Sequence, residues 1–81
     1  MPYIPGKDRL DLLEGITTPR TEGELNFVLT KKILEVISVW GEGYKTYNAI
    51  LGVLEAVKLE LYRRKISGYE DLKKQQNGDV Y

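Results

Sequence analysis

The residues best suited to chemistry in this chain lie in its last third: Lys58, Tyr62, Arg63, Arg64, Tyr69, Asn77, Asp79 and Tyr81. Guanidinium forks match phosphate oxygens, tyrosine faces stack on bases, and Asn or Asp can read base or ribose edges. The set therefore suits a small phosphorylated or nucleotide-like ligand. Lys58 and Tyr62 are four apart and share one helix face, with Arg63 one step round and Arg64 another. One subunit cannot aim all four at one ligand. A site shared between subunits solves that geometry, because a second chain brings its tail to the first chain's arginine. Taken singly, the same residues have plainer roles. Arg63 and Arg64 suit a helix C-terminus through the dipole, and the tyrosines suit the rim of a core.

Catalysis finds little to work with. The chain has no histidine and no cysteine, which removes imidazole acid–base chemistry, thiolate metal sites and disulfides. Ser38 and Ser67 have no histidine to activate them. Phosphate-loop, dinucleotide and nucleophile-elbow patterns are absent. Carboxylate pairs do occur, at Glu22/Glu24, Glu55/Glu60 and Glu70/Asp71. Glu70/Asp71 is better explained by a helix dipole, and Glu60 by pairing with Arg64 at i+4. A metal-assisted hydrolase needs several acids converging on one point. We expect no enzyme, no cofactor and no metal.

Charge and hydropathy narrow the partners. Twelve basic residues balance twelve acidic ones, so a general nucleic-acid or membrane-surface binder is not expected. The longest apolar runs are only a few residues, and MPYIPGKDRL has no apolar signal-peptide core. A soluble, cytoplasmic protein is the expectation.

Helices must position the polar set. In Thr46–Lys65, apolar residues fall at Tyr47, Ile50, Leu51, Leu54, Val57, Leu61 and Tyr62, steps of three and four that make one stripe. Thr46 is a candidate N-cap. A second face carries Ala49, Gly52 and Ala56. Helix-interior glycine costs about 1 kcal/mol relative to alanine, and a close helix–helix crossing would offset that, within the chain or between subunits.

Upstream, Thr21-Glu22-Gly23-Glu24 fits a capping box in which Thr21 and Glu24 exchange hydrogen bonds. The series Leu25, Val28, Leu29, Ile33, Val36, Ile37 and Trp40 then predicts a helix over 21–40 that Gly41 ends. A strand over Ile33–Trp40 is disfavoured, since period two is absent. Gly41-Glu42-Gly43 has the length that joins antiparallel helices. The expected fold is thus all-α: an antiparallel hairpin of 21–40 against 46–65, with short flanking helices and ordered terminal arms.

The flanks read more simply. Pro2 and Pro5 hold residues 1–6 as an extended arm that pins Tyr3 and Ile4 on a neighbouring surface. Lys7–Glu14 makes two helical turns stopped by Gly15. Ile16–Arg20 is a linker. Gly68 is expected to break the long helix, and Tyr69–Gln75 to form a short one with acids first and Lys73–Lys74 last. Asn77-Gly78 is a turn, and Val80 and Tyr81 are apolar anchors for the tail. Eighty-one residues make one domain. A chain of that size buries about 60% of its unfolded surface, and small unstapled proteins gain stability by assembling, so a homo-oligomer is expected.

Four stretches together are also familiar: TEGELNF (Thr21–Phe27), GVLEAVKLELYRR (Gly52–Arg64), YEDLKK (Tyr69–Lys74) and NGDVY (Asn77–Tyr81). With the MPYI start, they resemble a family of small uncharacterised proteins from bacteriophages, prophages and their hosts. The resemblance covers nearly the whole chain, with a shorter Ile16–Arg20 linker and Gly41–Gly43 loop than many relatives. It implies a phage or mobile-element setting and a motif-bearing C-terminal tail. It supplies no catalytic residues. The function expected is an oligomer that captures a small phosphorylated or nucleotide ligand, such as a host defence signal. The alternative is a structural adaptor that docks on a phage or host protein through the long helix and tail.

Overall fold

The structure, a computed structural model, describes residues 2–81. Met1, the first residue of the expected N-terminal arm, lies outside the described residues. The fold is all-α, with no strand among the described residues. Helix α1 spans Gly6–Leu13, α2 Glu22–Trp40, α3 Tyr44–Leu61 and α4 Ser67–Asn77. A π-helical turn, Tyr62–Ile66, joins α3 to α4. The chain divides into two compact units, Met1–Thr46 and Tyr47–Tyr81.

In the first unit, α1 packs on α2. Its core is Ile4, Leu12 and Phe27, with Val28 half-buried against them. The arm enters this core because Pro5, extended at φ −53° and ψ 139°, directs Ile4 inward. The Arg9 Nε donates to the Ile4 carbonyl at 3.1 Å and ties the arm to α1. Of the two residues expected to pin the arm, Ile4 is buried and Tyr3 is exposed. After α1, Gly15 turns at φ +74°, a left-handed conformation that costs a side-chain-bearing residue about 1 kcal/mol.

The start of α2 follows its sequence with one change. Thr21 is the N-cap, extended at φ −132° and ψ 163°, and its Oγ1 accepts from the Glu24 amide at 3.1 Å. The Glu24 carboxylate, however, does not return to the Thr21 amide. It accepts from the Arg20 amide at 3.0 Å and from the Arg20 guanidinium at 3.3 and 3.2 Å. The charged fork outcompetes a neutral amide for the carboxylate and draws it one residue upstream. These bonds hold the Glu24 carboxyl below its ordinary range, although burial opposes them. Glu24 is buried and partnered, as a buried charge must be. At the other end, Gly41 at φ +103° closes α2, its amide donating to the Ile37 carbonyl at 2.8 Å.

The second unit is helical from Tyr47 to Asn77. Two expectations are corrected here. Helix α3 begins at Tyr44, so Thr46 lies inside it instead of capping it. Gly68 does not break the helix; it lies in α4 with ordinary helical handedness. A glycine weakens a helix by about 1 kcal/mol without forbidding it, and flanking hydrogen bonds carry the chain through. The irregularity comes just before it. The Ser67 amide donates to the Tyr62 carbonyl, five residues back, which makes the π turn. Ile50 is the one buried residue of α3, and α4 buries none.

Candidate functional site

The π turn holds three of the eight predicted ligand residues, Tyr62, Arg63 and Arg64. Eight residues of regular α-helix rotate about 800°, roughly 80° past two full turns. One residue accommodated in a π turn leaves the phase of about seven, close to two full turns. Tyr62 and Glu70 therefore face the same side. The Tyr62 hydroxyl lies 3.2 Å from each Glu70 carboxylate oxygen and donates to that carboxylate. The bond, and then the negative charge, push the Tyr62 phenol above its ordinary range. A straight helical wheel drawn through the sequence separates these two residues.

Just before the turn, Glu60 binds both arginines. Arg63 donates to its carboxylate at 2.8 and 3.2 Å, and Arg64 donates through Nε to the same Oε1. The two guanidinium groups hold the Glu60 carboxyl below its ordinary range. Both arginine side chains stay largely exposed, at 71% and 70%. Each guanidinium has five donors, so donors remain for an anion. The arrangement is a pair of adjacent cations clamped by one acid, with net charge +1. The expected Glu60–Arg64 pair is present, and Arg63 joins it through the i,i+3 spacing.

The other predicted residues separate from this pair. Lys58 pairs with Glu55 at 3.1 Å. Tyr69 has the Lys73 ammonium 5.6 Å from its ring centroid. Asn77 is exposed at the end of α4. Beyond it Gly78 turns at φ +90° and donates to the Lys74 carbonyl at 2.9 Å. Asp79 Oδ1 accepts from the Tyr81 amide at 2.9 Å. Val80 and Tyr81, expected as apolar anchors, are both fully in solvent's reach at 92% and 112%. An open concavity of about 330 Å³ lies between the tail and α4, lined by Glu70, Asp71, Lys74, Gly78, Asp79, Val80 and Tyr81. It gathers Asp79 and Tyr81 as the sequence suggests, but with three side-chain carboxylates against one ammonium. An anionic ligand is repelled there. Sequence spacing missed Glu70, because its contact depends on the π turn.

Comparison with known proteins bears on the whole chain. The model of a domain of unknown function, DUF6899, matches residues 1–80. The chain belongs to the DUF6899 family. No curated protein and no solved structure matches it. Membership fixes no chemistry, so the site of this DUF6899 protein rests on its own geometry. No helix among its described residues is long and apolar enough to cross a membrane.

Proposed function

We propose that this DUF6899 protein is a non-catalytic interaction module that works as a homo-oligomer, assembled through α3. One observation carries this: α3 exposes apolar side chains on two opposed faces. Leu51 and Val57 belong to the stripe of Tyr47, Leu54 and Leu61, and are 63% and 61% exposed. Val53 and Leu59 flank the small face of Ala49, Gly52 and Ala56, and are 56% and 58% exposed. A helix apolar on opposite sides requires neighbours on both. The unit that holds most of α3 is one helical stretch with a tail, and a single layer has no core of its own. One helix covers one face. The cover we propose is α3 of further copies of the chain. A Cβ built on Gly52 meets nothing within 4 Å, which leaves that face open for such a neighbour.

Native mass spectrometry and light scattering test the assembly. The expected mass is a multiple of the 9.3 kDa chain. Leu51→Asp and Val53→Asp, one on each face, should both reduce it. A monomeric wild type, or unchanged assembly in both variants, overturns the proposal.

A second role, capture of a small phosphorylated or nucleotide-like ligand, is favoured by the Arg63–Arg64 pair held on Glu60. The acidic surroundings of Asp79 and Tyr81 argue that phosphate meets the arginines and not the tail concavity. Likeness of the TEGELNF and NGDVY stretches to phage proteins suggests a phage or mobile-element setting, where such capture could silence a host defence signal. Calorimetric titration with mono-, di- and cyclic nucleotides is the trial. Arg63→Ala should weaken binding about ten- to a hundredfold. Absence of heat from an assembled oligomer leaves the interaction role alone.

A further inference from the structure

The geometry points to a second binding site in the first unit, for a phosphate joined to a flat ring. An open concavity of about 240 Å³ there is lined by Tyr3, Arg9, Phe27, Thr30, Lys31 and Leu34, among others. The Arg9 guanidinium and the Lys31 ammonium each lie 5.9 Å from the centroid of the one Phe27 ring. No carboxylate among the described residues lines the concavity. Among the described residues neither cation is in an ion pair. Both positive groups line the same concavity, and the Phe27 ring offsets their charge only in part. An anion in the concavity that both line offsets their charge and gains charge-assisted hydrogen bonds.

The rest of the concavity selects what carries that anion. The Arg9 Nε is committed to the Ile4 carbonyl, which fixes the side chain and leaves its terminal amino groups to donate. Tyr3 shows 78% of its surface and offers an aromatic face at the rim. Leu34 adds apolar surface. A flat ring stacks on the tyrosine while its phosphate meets Arg9 and Lys31. The volume fits a ligand of about one such ring and one phosphate, smaller than the usual drug-sized pocket of about 300 Å³ or more. The site lies outside the C-terminal third, so it stands independently of capture by Arg63 and Arg64.

The test is an NMR titration of the full-length, isotope-labelled protein with adenosine monophosphate and, separately, phenyl phosphate. The first stands for a nucleotide source and the second for a phosphorylated phenol. Adenosine and inorganic phosphate supply the two halves alone. Saturable shifts at Tyr3, Arg9, Phe27 and Lys31 are expected with at least one of the joined probes, and about tenfold weaker binding with either half. Lys31→Gln should weaken the joined probe about tenfold. Lys31 is exposed, with its ammonium over the Phe27 ring, so the variant should stay folded. Arg63→Ala should leave these shifts unchanged. No saturable shift at these residues with either joined probe overturns the proposal. So does equal affinity for inorganic phosphate, or equal affinity in Lys31→Gln.

Discussion

At the scale of single residues, the start of α2 is the best-determined part of the chain. Thr21 satisfies an amide that has no partner inside the helix. Thr21→Ala should cost about 1 kcal/mol, read as a lower urea midpoint. Glu24 makes a pH prediction with a definite sign. Its folded-state carboxyl sits below the ordinary 4.5, so its contribution is fully present above that value. The contribution is lost as pH falls through the depressed folded-state value. Urea midpoints measured from pH 7 downward should therefore fall on acidification, and Glu24→Gln should flatten that fall. A steeper acid dependence in Glu24→Gln would mean that Arg20 does not hold the carboxylate. The residue types at this cap were legible in the sequence. The choice of Arg20 over Thr21 as the carboxylate's partner was not, because two donors competed and only geometry ranks them.

At the scale of elements, the π turn sets what the C-terminal third can do. It brings Tyr62 to Glu70 and leaves Arg63 and Arg64 on Glu60. Tyr62 should titrate above the ordinary 10.0, with its protonated form favoured in the folded state. That interaction stabilises below the unfolded value and is lost as pH rises through the folded one. Glu70→Gln should lower the Tyr62 value, as followed by side-chain NMR; an unchanged value would show that the helix runs through 62–70 in regular phase. Gly68 gives a separate test. A Cβ there meets nothing within 4 Å, and its φ is not positive. Gly68→Ala should raise stability by about 1 kcal/mol. A loss instead would mean that the glycine serves a contact in the assembly. By contrast, Gly15→Ala should lower stability by about 1 kcal/mol, because φ +74° is strained for any side chain.

At the scale of the whole molecule, the balance of apolar surface matters most. Among the described residues four apolar ones are buried, Ile4, Leu12, Phe27 and Ile50, and most large ones are exposed. Contiguous exposed apolar surface on a small protein marks an interaction site. Folding and assembly should therefore be linked, with a melting temperature that rises with protein concentration. A melting temperature independent of concentration over a wide range would oppose the proposed oligomer. Gly52→Leu adds bulk to the open small face and should disturb assembly without disturbing α3 itself, which circular dichroism and native mass report separately.

What the sequence determined by itself is local and periodic. The three- and four-residue spacings, the cap at Thr21, the stops at Gly15 and Gly41 and the Glu60–Arg64 pair each depend on neighbours within one or two helical turns. What the tertiary structure alone decided depends on longer reach. Periodicity marked the apolar stripe of α3 but could not say that only Ile50 in it would be buried. Phe27 and Lys31 meet by local i,i+4 spacing within α2, and the packing of α1 on α2 brought Arg9 to the same ring. The Tyr62–Glu70 bond required a change of helical phase that no residue type announces. Local hydrogen bonds repeat with a fixed period and so leave a pattern in sequence; a register shift or a helix–helix contact is the result of many weak terms summed over the fold, and leaves none.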